Sequence, residues 1–400
     1  MYNSQLDGLT DYPFQRLAAL LADVSPPDGV TPIAMSIGEP QHAAPDLIFR
    51  ALEKHAKDWN KYPPTAGTES YRTAVTDWLT KRYGLPDGFV TPDGHVLPVS
   101  GTREGLFMAA QLAVPRQKAG QQPAILMPNP FYQVYLGATV MCGANPIFVP
   151  ATQDTDFLPD FGAVDDAVLK RTAMAYLCSP ANPQGSVASL EQLKSTIELA
   201  RKHDFVLVGD ECYSEIYGDT PPPGLLQACA SLGNGLSNVL VFNSLSKRSS
   251  APGLRAGFVA GDPDLIKKFS QLRSHSGAVQ PLPVMAAATE LWRDEMHVIE
   301  NRQKYQQKFN DAARIFGTHF GFKKPAGGFF QWLDVGDSEA ATRRLWQDGG
   351  IKVLPGAYLS RPGPNGVSPG DRYIRVALVH DRDKNETALS TLFHILSKEV

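Results

Sequence analysis

The sequence predicts an α/β fold, with a mostly parallel central sheet in a large domain followed by a smaller α+β domain. Two observations predict it. From about residue 95 to 260, short continuous apolar runs recur with helical stretches between them, which suits strands buried on both faces of a mostly parallel sheet. After residue 290 the texture changes to a long polar-faced helical pattern and then to Gly-rich strand signals. No internal repeat or low-complexity linker interrupts the 400 residues, so a compact whole is expected. The expected organisation is an N-terminal segment, 1–45, packed with the small domain, a large domain over 46–290 and the small domain over 291–400.

The runs Val96 to Val99, Ala124 to Met127, Ala173 to Leu177, Phe205 to Val208, Val239 to Phe242 and Gly257 to Ala260 are read as the strands of the central sheet. Trp292 to Phe316 reads as one long helix, and Gly327 to Leu333, Val353 to Gly356 and Arg372 to Leu378 as the later strands. Ser36-Ile-Gly-Glu-Pro40 reads as a turn crossing toward the site.

Charge narrows the partners. Lys and Arg total 38 against 41 Asp and Glu, a formal charge of −3, so no strong field draws in nucleic acid or an anionic membrane, and small-molecule partners are expected. No basic leader with an apolar run opens the sequence and no uninterrupted apolar stretch of about 18 residues occurs, so a cytoplasmic location is expected. Four cysteines without C-x-x-C spacing are expected to be free buried thiols. A phosphate loop of the form G-x-x-x-x-G-K-[ST], a dinucleotide fingerprint and paired histidines of the H-E-x-x-H kind are all missing, so neither a nucleotide nor a metal is expected.

In open α/β sheets ligands bind beyond the carboxyl ends of the strands, so the residues following each run carry the argument. Ser100-Gly101-Thr102-Arg103 precedes a helical pattern, and two readings stand there: a plain N-cap, or an anion site at a helix N-terminus. Pro128 to Tyr135 projects aromatics, Tyr132 among them, that serve either a core or a ligand ring. Asn182, fixed between turn residues, offers an amide. Asp210 directly follows a buried run and needs a cationic partner to stay ionised. Lys247, in Asn243-Ser244-Leu-Ser246-Lys247, stands where desolvation lowers an amine's pKa enough for it to attack a carbonyl. Ser244, Ser246 and Arg255 supply phosphate ligands in the same segment. Together these residues ask for a phosphate, a carbonyl that condenses with Lys247 and a protonated ring nitrogen facing Asp210, and pyridoxal 5′-phosphate has all three.

The segments Ser244-Leu-Ser-Lys247 and Pro252-Gly-Leu-Arg255-Ala-Gly257 resemble the lysine signature of the class I/II aminotransferases of fold type I, and the resemblance runs over nearly the whole chain. It implies that Lys247 bonds the cofactor and moves the proton, and that Asp210 pairs with the ring nitrogen. It further implies that Tyr213 and Asn182 donate to the phenolic oxygen, that Gly101, Thr102, Ser244, Ser246 and Arg255 hold the phosphate, and that Tyr132 stacks on the ring. Tyr62 resembles a tyrosine that reaches the phosphate of a neighbouring subunit, which implies a homodimer with shared sites. Arg375 matches the arginine that grips the substrate carboxylate, and Gly38 lies in the segment covering the substrate. Tyr12-Pro-Phe14, Ser100 to Phe107, Glu295-Met-His-Val298 and Asn301-Arg302 look like the succinyldiaminopimelate aminotransferases of bacterial lysine biosynthesis. That narrower likeness implies transamination of N-succinyl-LL-2,6-diaminopimelate with 2-oxoglutarate. Arg103 is then the candidate for a distal carboxylate, beside its plainer reading as a solvated or interface arginine. The alternatives are aspartate, aromatic or acetylornithine aminotransferases, a lyase using the same cofactor and fold, and a non-catalytic regulatory module.

Overall fold

A computed structural model describes residues 1–363 and 366–399. Its described strands are β1 (Ile33–Ala34), β2 (Val96–Val99), β3 (Ala124–Asn129), β4 (Asn145–Pro150), β5 (Thr172–Cys178), β6 (Val206–Asp210), β7 (Val239–Ser244), β8 (Gly257–Gly261), β9 (Phe330–Asp334), β10 (Ile351–Lys352), β11 (Leu354–Pro355) and β12 (Tyr373–Ala377). Seven of them form the central sheet in the order β2-β8-β7-β6-β5-β3-β4. β8 runs antiparallel to both neighbours, and the other pairings are parallel. The expected fold class is therefore the observed one.

Every residue of β3, β5, β7 and β8 is buried, because helices cover both faces. Alternation along β7 shows how the faces are shared. Val239 and Val241 pack with Trp78, Phe258 and Trp292 in one layer, while Leu240 and Phe242 pack with Tyr135, Tyr176 and Phe269 in the other. Local sequence ends the covering helices: Ser189 and Gln192 cap the start of Leu190–Lys202 reciprocally, and Gly84, at φ +60°, closes Glu69–Tyr83.

β11, β12 and β9 form a second, antiparallel sheet over a core that includes Phe329, Leu333, Val376 and Leu389. β1 pairs in parallel with β10, so an N-terminal strand is stitched to the C-terminal part of the chain. Two expectations need correction. β4 was not anticipated: its six residues include two prolines and sit half-buried at the sheet edge, the place where proline is tolerated in a sheet. The stretch Trp292 to Phe316 is two helices, Leu282–Arg293 and Met296–Phe316. Asp294 breaks it, its carboxylate accepting from the His297 amide at 3.0 Å and so competing for a backbone donor. All four cysteines are free as expected, with Cys142 only half-buried.

Candidate active site

The parallel strands β3, β5, β6 and β7 present their carboxyl ends along one edge, and the residues just beyond them surround a cavity of about 400 Å³. Apart from Gly101 and Tyr62, every residue to which the sequence gave a catalytic, cofactor or substrate role lines it.

At one end stand Ser244, Ser246, Arg255 and Thr102. Ser244 Oγ donates to Ser246 Oγ at 2.9 Å and accepts from the Ser246 amide at 3.1 Å. Arg255 adopts a left-handed backbone, φ +52°, and donates to the Pro252 carbonyl at 2.9 Å. Gly101 lies behind the wall at φ +88°, and a Cβ there would collide with the Arg255 guanidinium. Thr102 opens the twelve-residue helix to Ala113, whose first-turn amides have no partners within the helix and carry its positive dipole end. Hydroxyls, a guanidinium and a helix start converge as a phosphate requires.

Asp210, which also lines the cavity, ends β6 only 5% exposed. Burial pushes its pKa up, and hydrogen bonds from Tyr135 Oη at 2.7 Å and the Cys212 amide at 3.4 Å oppose the rise. The charge of Lys247 opposes it too, and a further cation in the cavity would favour the ionised form. Tyr135 is a partner that the sequence did not reveal. Its ring stacks on Tyr176 at 4.3 Å between centroids, so it reads as core until β3 and β6 are placed on either side of β5.

Lys247 is half-buried and its Nζ donates to the Gly38 carbonyl. Desolvation lowers its pKa to about 8, helped by the charges of Arg375 and Arg255 and opposed by Cys212 and Glu39. Arg375, from β12, is 5% exposed and donates to Asn182 Oδ1 at 3.0 Å and to the Ser36 carbonyl at 2.7 Å. Its guanidinium lies 4.3 Å from the Phe330 ring centroid. Burial lowers its pKa to about 10, which leaves it cationic at neutral pH. Its Nε is buried without a hydrogen-bond partner among the described residues. Because Asn182 spends its oxygen on Arg375, its Nδ2 is the atom offered to a ligand.

Tyr132 Oη accepts from Arg103 Nε at 2.8 Å, and Tyr213 packs edge-on against Phe329 and Phe330. Tyr62 is fully exposed and lies outside the cavity. The far wall includes Tyr12, Phe14, Gln133 and Leu359, to which sequence reasoning gave no role. Only the short Tyr12-Pro-Phe14 likeness hinted at them.

The cavity thus offers phosphate donors, a reactive amine, a buried acid and a carboxylate clamp, which is the donor set that pyridoxal 5′-phosphate and an amino acid need. The family model "Aminotransferase class I and II" matches residues 30–392, and the chain belongs to that family. It is a pyridoxal 5′-phosphate-dependent aminotransferase of fold type I. A solved aminotransferase from Neisseria meningitidis Z2491 is similar at 42% identity, covering 99% of this chain and 100% of that one with a TM-score of 0.93. The aminotransferase AspB of Helicobacter pylori 26695 is similar at 37% identity, with 96% and 98% coverage and a TM-score of 0.89. Among curated relatives, the 4-dedimethylamino-4-oxo-anhydrotetracycline transaminase OxyQ of Streptomyces rimosus is 32% identical over 92% of this chain and 94% of its own. The LL-diaminopimelate aminotransferase of Moorella thermoacetica is 29% identical over 98% and 97%.

When bound, the cofactor supplies a carbonyl for the amine and an electron sink for the substrate's Cα–H bond. The lowered pKa of Lys247 carries a test. At pH 7, an amine of pKa about 8 is deprotonated roughly 300 times more often than one at the ordinary value. Capture of the cofactor by apoprotein, followed by absorbance, is expected to speed up with pH and level off above about 8. A rate still climbing in proportion to hydroxide at pH 10 would show the amine to be unperturbed.

Proposed function

We propose that this enzyme transfers the amino group of N-succinyl-LL-2,6-diaminopimelate to 2-oxoglutarate. Lys247, Asp210 and Tyr213 are its catalytic residues, and Arg375, Asn182 and Gly38 seat the substrate. Gly101, Thr102, Ser244, Ser246 and Arg255 hold the phosphate, and Tyr132 stacks on the ring. The observation that carries the reading is the convergence of the Lys247 amine, the Asp210 carboxylate and the Arg375 guanidinium on one cavity. With the cofactor and substrate bound, Arg375 would grip the α-carboxylate and so orient the Cα–H bond, and Lys247 would accept the proton that leaves Cα.

The substrate assignment is supported by Tyr12, Pro13, Phe14 and Arg103, which line the same cavity as Arg375 and belong to the short segments on which the likeness to succinyldiaminopimelate aminotransferases rests. A distal carboxylate buried without a partner would be costly, and Arg103 supplies the charge. A second reading, free LL-diaminopimelate as donor, is favoured by the activity named for the relative from Moorella thermoacetica.

A homodimer with shared sites accounts for fully exposed Tyr62 and for the apolar Phe49 and Trp59, 61% and 55% exposed, near it in sequence. The assignment of residues 1–45 to the small domain is supported by the pairing of β1 with β10. A transamination screen with 2-oxoglutarate tests the substrate, comparing succinylated and free diaminopimelate, acetylornithine, aspartate and aromatic amino acids. The succinylated donor is expected to give the highest kcat/KM. Arg103→Ala is expected to lower that value about 10- to 100-fold while sparing aromatic donors. A preference for any other donor overturns the assignment.

A further inference from the structure

The turn that carries Lys247 is gripped from behind. Residues 247–250 follow β7 and end at Ser250, a non-glycine residue held at φ +47°. Each of the four is bonded to residues around one helix start. Asn301 Nδ2 donates to the carbonyls of Lys247 at 3.1 Å and Arg248 at 3.2 Å, and its Oδ1 accepts from Ser250 Oγ at 3.0 Å. Arg248, 1% exposed, donates to the Leu291 carbonyl at 2.7 Å and to Glu295 Oε1 at 2.6 Å. His297 lies with Nε2 2.8 Å from Ser249 Oγ and Nδ1 2.6 Å from Asp294 Oδ2. An ionised carboxylate only accepts, so Nδ1 carries the proton and the Ser249 hydroxyl donates to Nε2. Burial lowers the His297 pKa, which suits this neutral form.

A second tie reaches the front of the site. Asn301 Oδ1 lies 3.1 Å from His42 Nδ1, and His42 closes the segment whose Gly38 carbonyl takes the Lys247 amine. None of Asp294, Glu295, His297 or Asn301 lines the active-site cavity. Their bonds reach it through the turn.

We propose that Asn301 and His297 are positioning residues for Lys247, fixing the backbone of the 247–250 turn so that the amine moves the substrate's proton along one defined path. The inference rests on the reading of Lys247 as the proton carrier. A lysine side chain has four rotatable bonds, so the accuracy of its amine is set by where its Cα is anchored. A misplacement of about 1 Å costs on the order of 100-fold in rate. The motif Glu295-Met-His-Val298 with Asn301, which had no chemistry of its own in the sequence, acquires a task.

The test uses holoenzyme carrying Asn301→Leu and, separately, Ser249→Ala. For Asn301→Leu, kcat is expected to fall about 10- to 100-fold with KM for the amino donor nearly unchanged. The isotope effect on kcat with Cα-deuterated donor is expected to rise, because proton transfer becomes the slow step. The pH at which the visible absorption of the loaded enzyme titrates is expected to shift. Ser249→Ala should move the same quantities less. A folded, fully loaded Asn301→Leu enzyme with the wild-type isotope effect and titration overturns the proposal, whatever its Tm. If Asn301→Leu does not fold, the same two readouts on Ser249→Ala decide. Lys247→Ala is the control: if it stays coloured and active, the reading of Lys247 itself has failed rather than the clamp.

Discussion

Replacing Lys247 by alanine is expected to cut kcat by at least about 10⁴-fold, the upper range for loss of a positioned general base, and to abolish the absorption of lysine-linked cofactor. The fold should survive. The side chain is half-buried at a cavity, its amine bonds the Gly38 carbonyl, and the Phe329 ring centroid lies 5.2 Å away. A stability signature accompanies the loss. In the apoprotein burial holds the Lys247 pKa near 8, below its unfolded value, so the folded state sheds the proton first as pH rises. Wild-type apoprotein therefore gains stability between about pH 8 and the ordinary lysine range, and Lys247→Ala lacks that gain. Melting curves of both apoproteins at pH 7 and 10, alongside turnover, separate a catalytic lysine from a structural one. Turnover near the wild-type rate would refute the role.

Much of this site could be read from the sequence because its parts follow apolar runs directly. Asp210 after Phe-Val-Leu-Val and Lys247 after Val-Leu-Val-Phe-Asn-Ser-Leu-Ser are placed by strand ends alone, since parallel strands deliver their carboxyl ends to one edge. What stayed hidden depends on pairing between distant segments. Tyr135 meets Asp210 across 75 residues, and Asn301 meets Lys247 across 54. Neither spacing has a periodic signature. β4 escaped because a proline-bearing edge strand carries neither alternation nor a continuous apolar run. The break at Asp294 escaped for a local reason. Helical periodicity continues through Trp292 and Phe316, and one carboxylate turning back onto the His297 amide is enough to interrupt it.

Asp210→Asn should separate the demands of folding from those of catalysis. The substitution keeps shape, and the amide oxygen can still accept from Tyr135 Oη, with the longer 3.4 Å bond from the Cys212 amide lost. What disappears is the negative charge facing the cavity. If that charge keeps the cofactor's ring nitrogen protonated, kcat is expected to fall about 100- to 1000-fold, the scale for losing one preorganised electrostatic partner, with a smaller change in KM. The apoprotein should respond in the opposite sense. Burial raises the Asp210 pKa in the folded state, so between the ordinary carboxylate pKa and that raised value the unfolded chain holds fewer protons, and stability declines as pH rises. Asparagine removes this decline, so apo Asp210→Asn is expected to gain on wild type as pH rises above the ordinary carboxylate pKa. Cofactor binding reverses the comparison, because only the aspartate acquires a cationic partner on loading, and the gain in Tm from cofactor should be larger for wild type. Thermal melts of both proteins with and without cofactor measure the crossing. A variant with wild-type kcat and an equal cofactor-dependent gain in Tm would show that Asp210 is buried for packing alone.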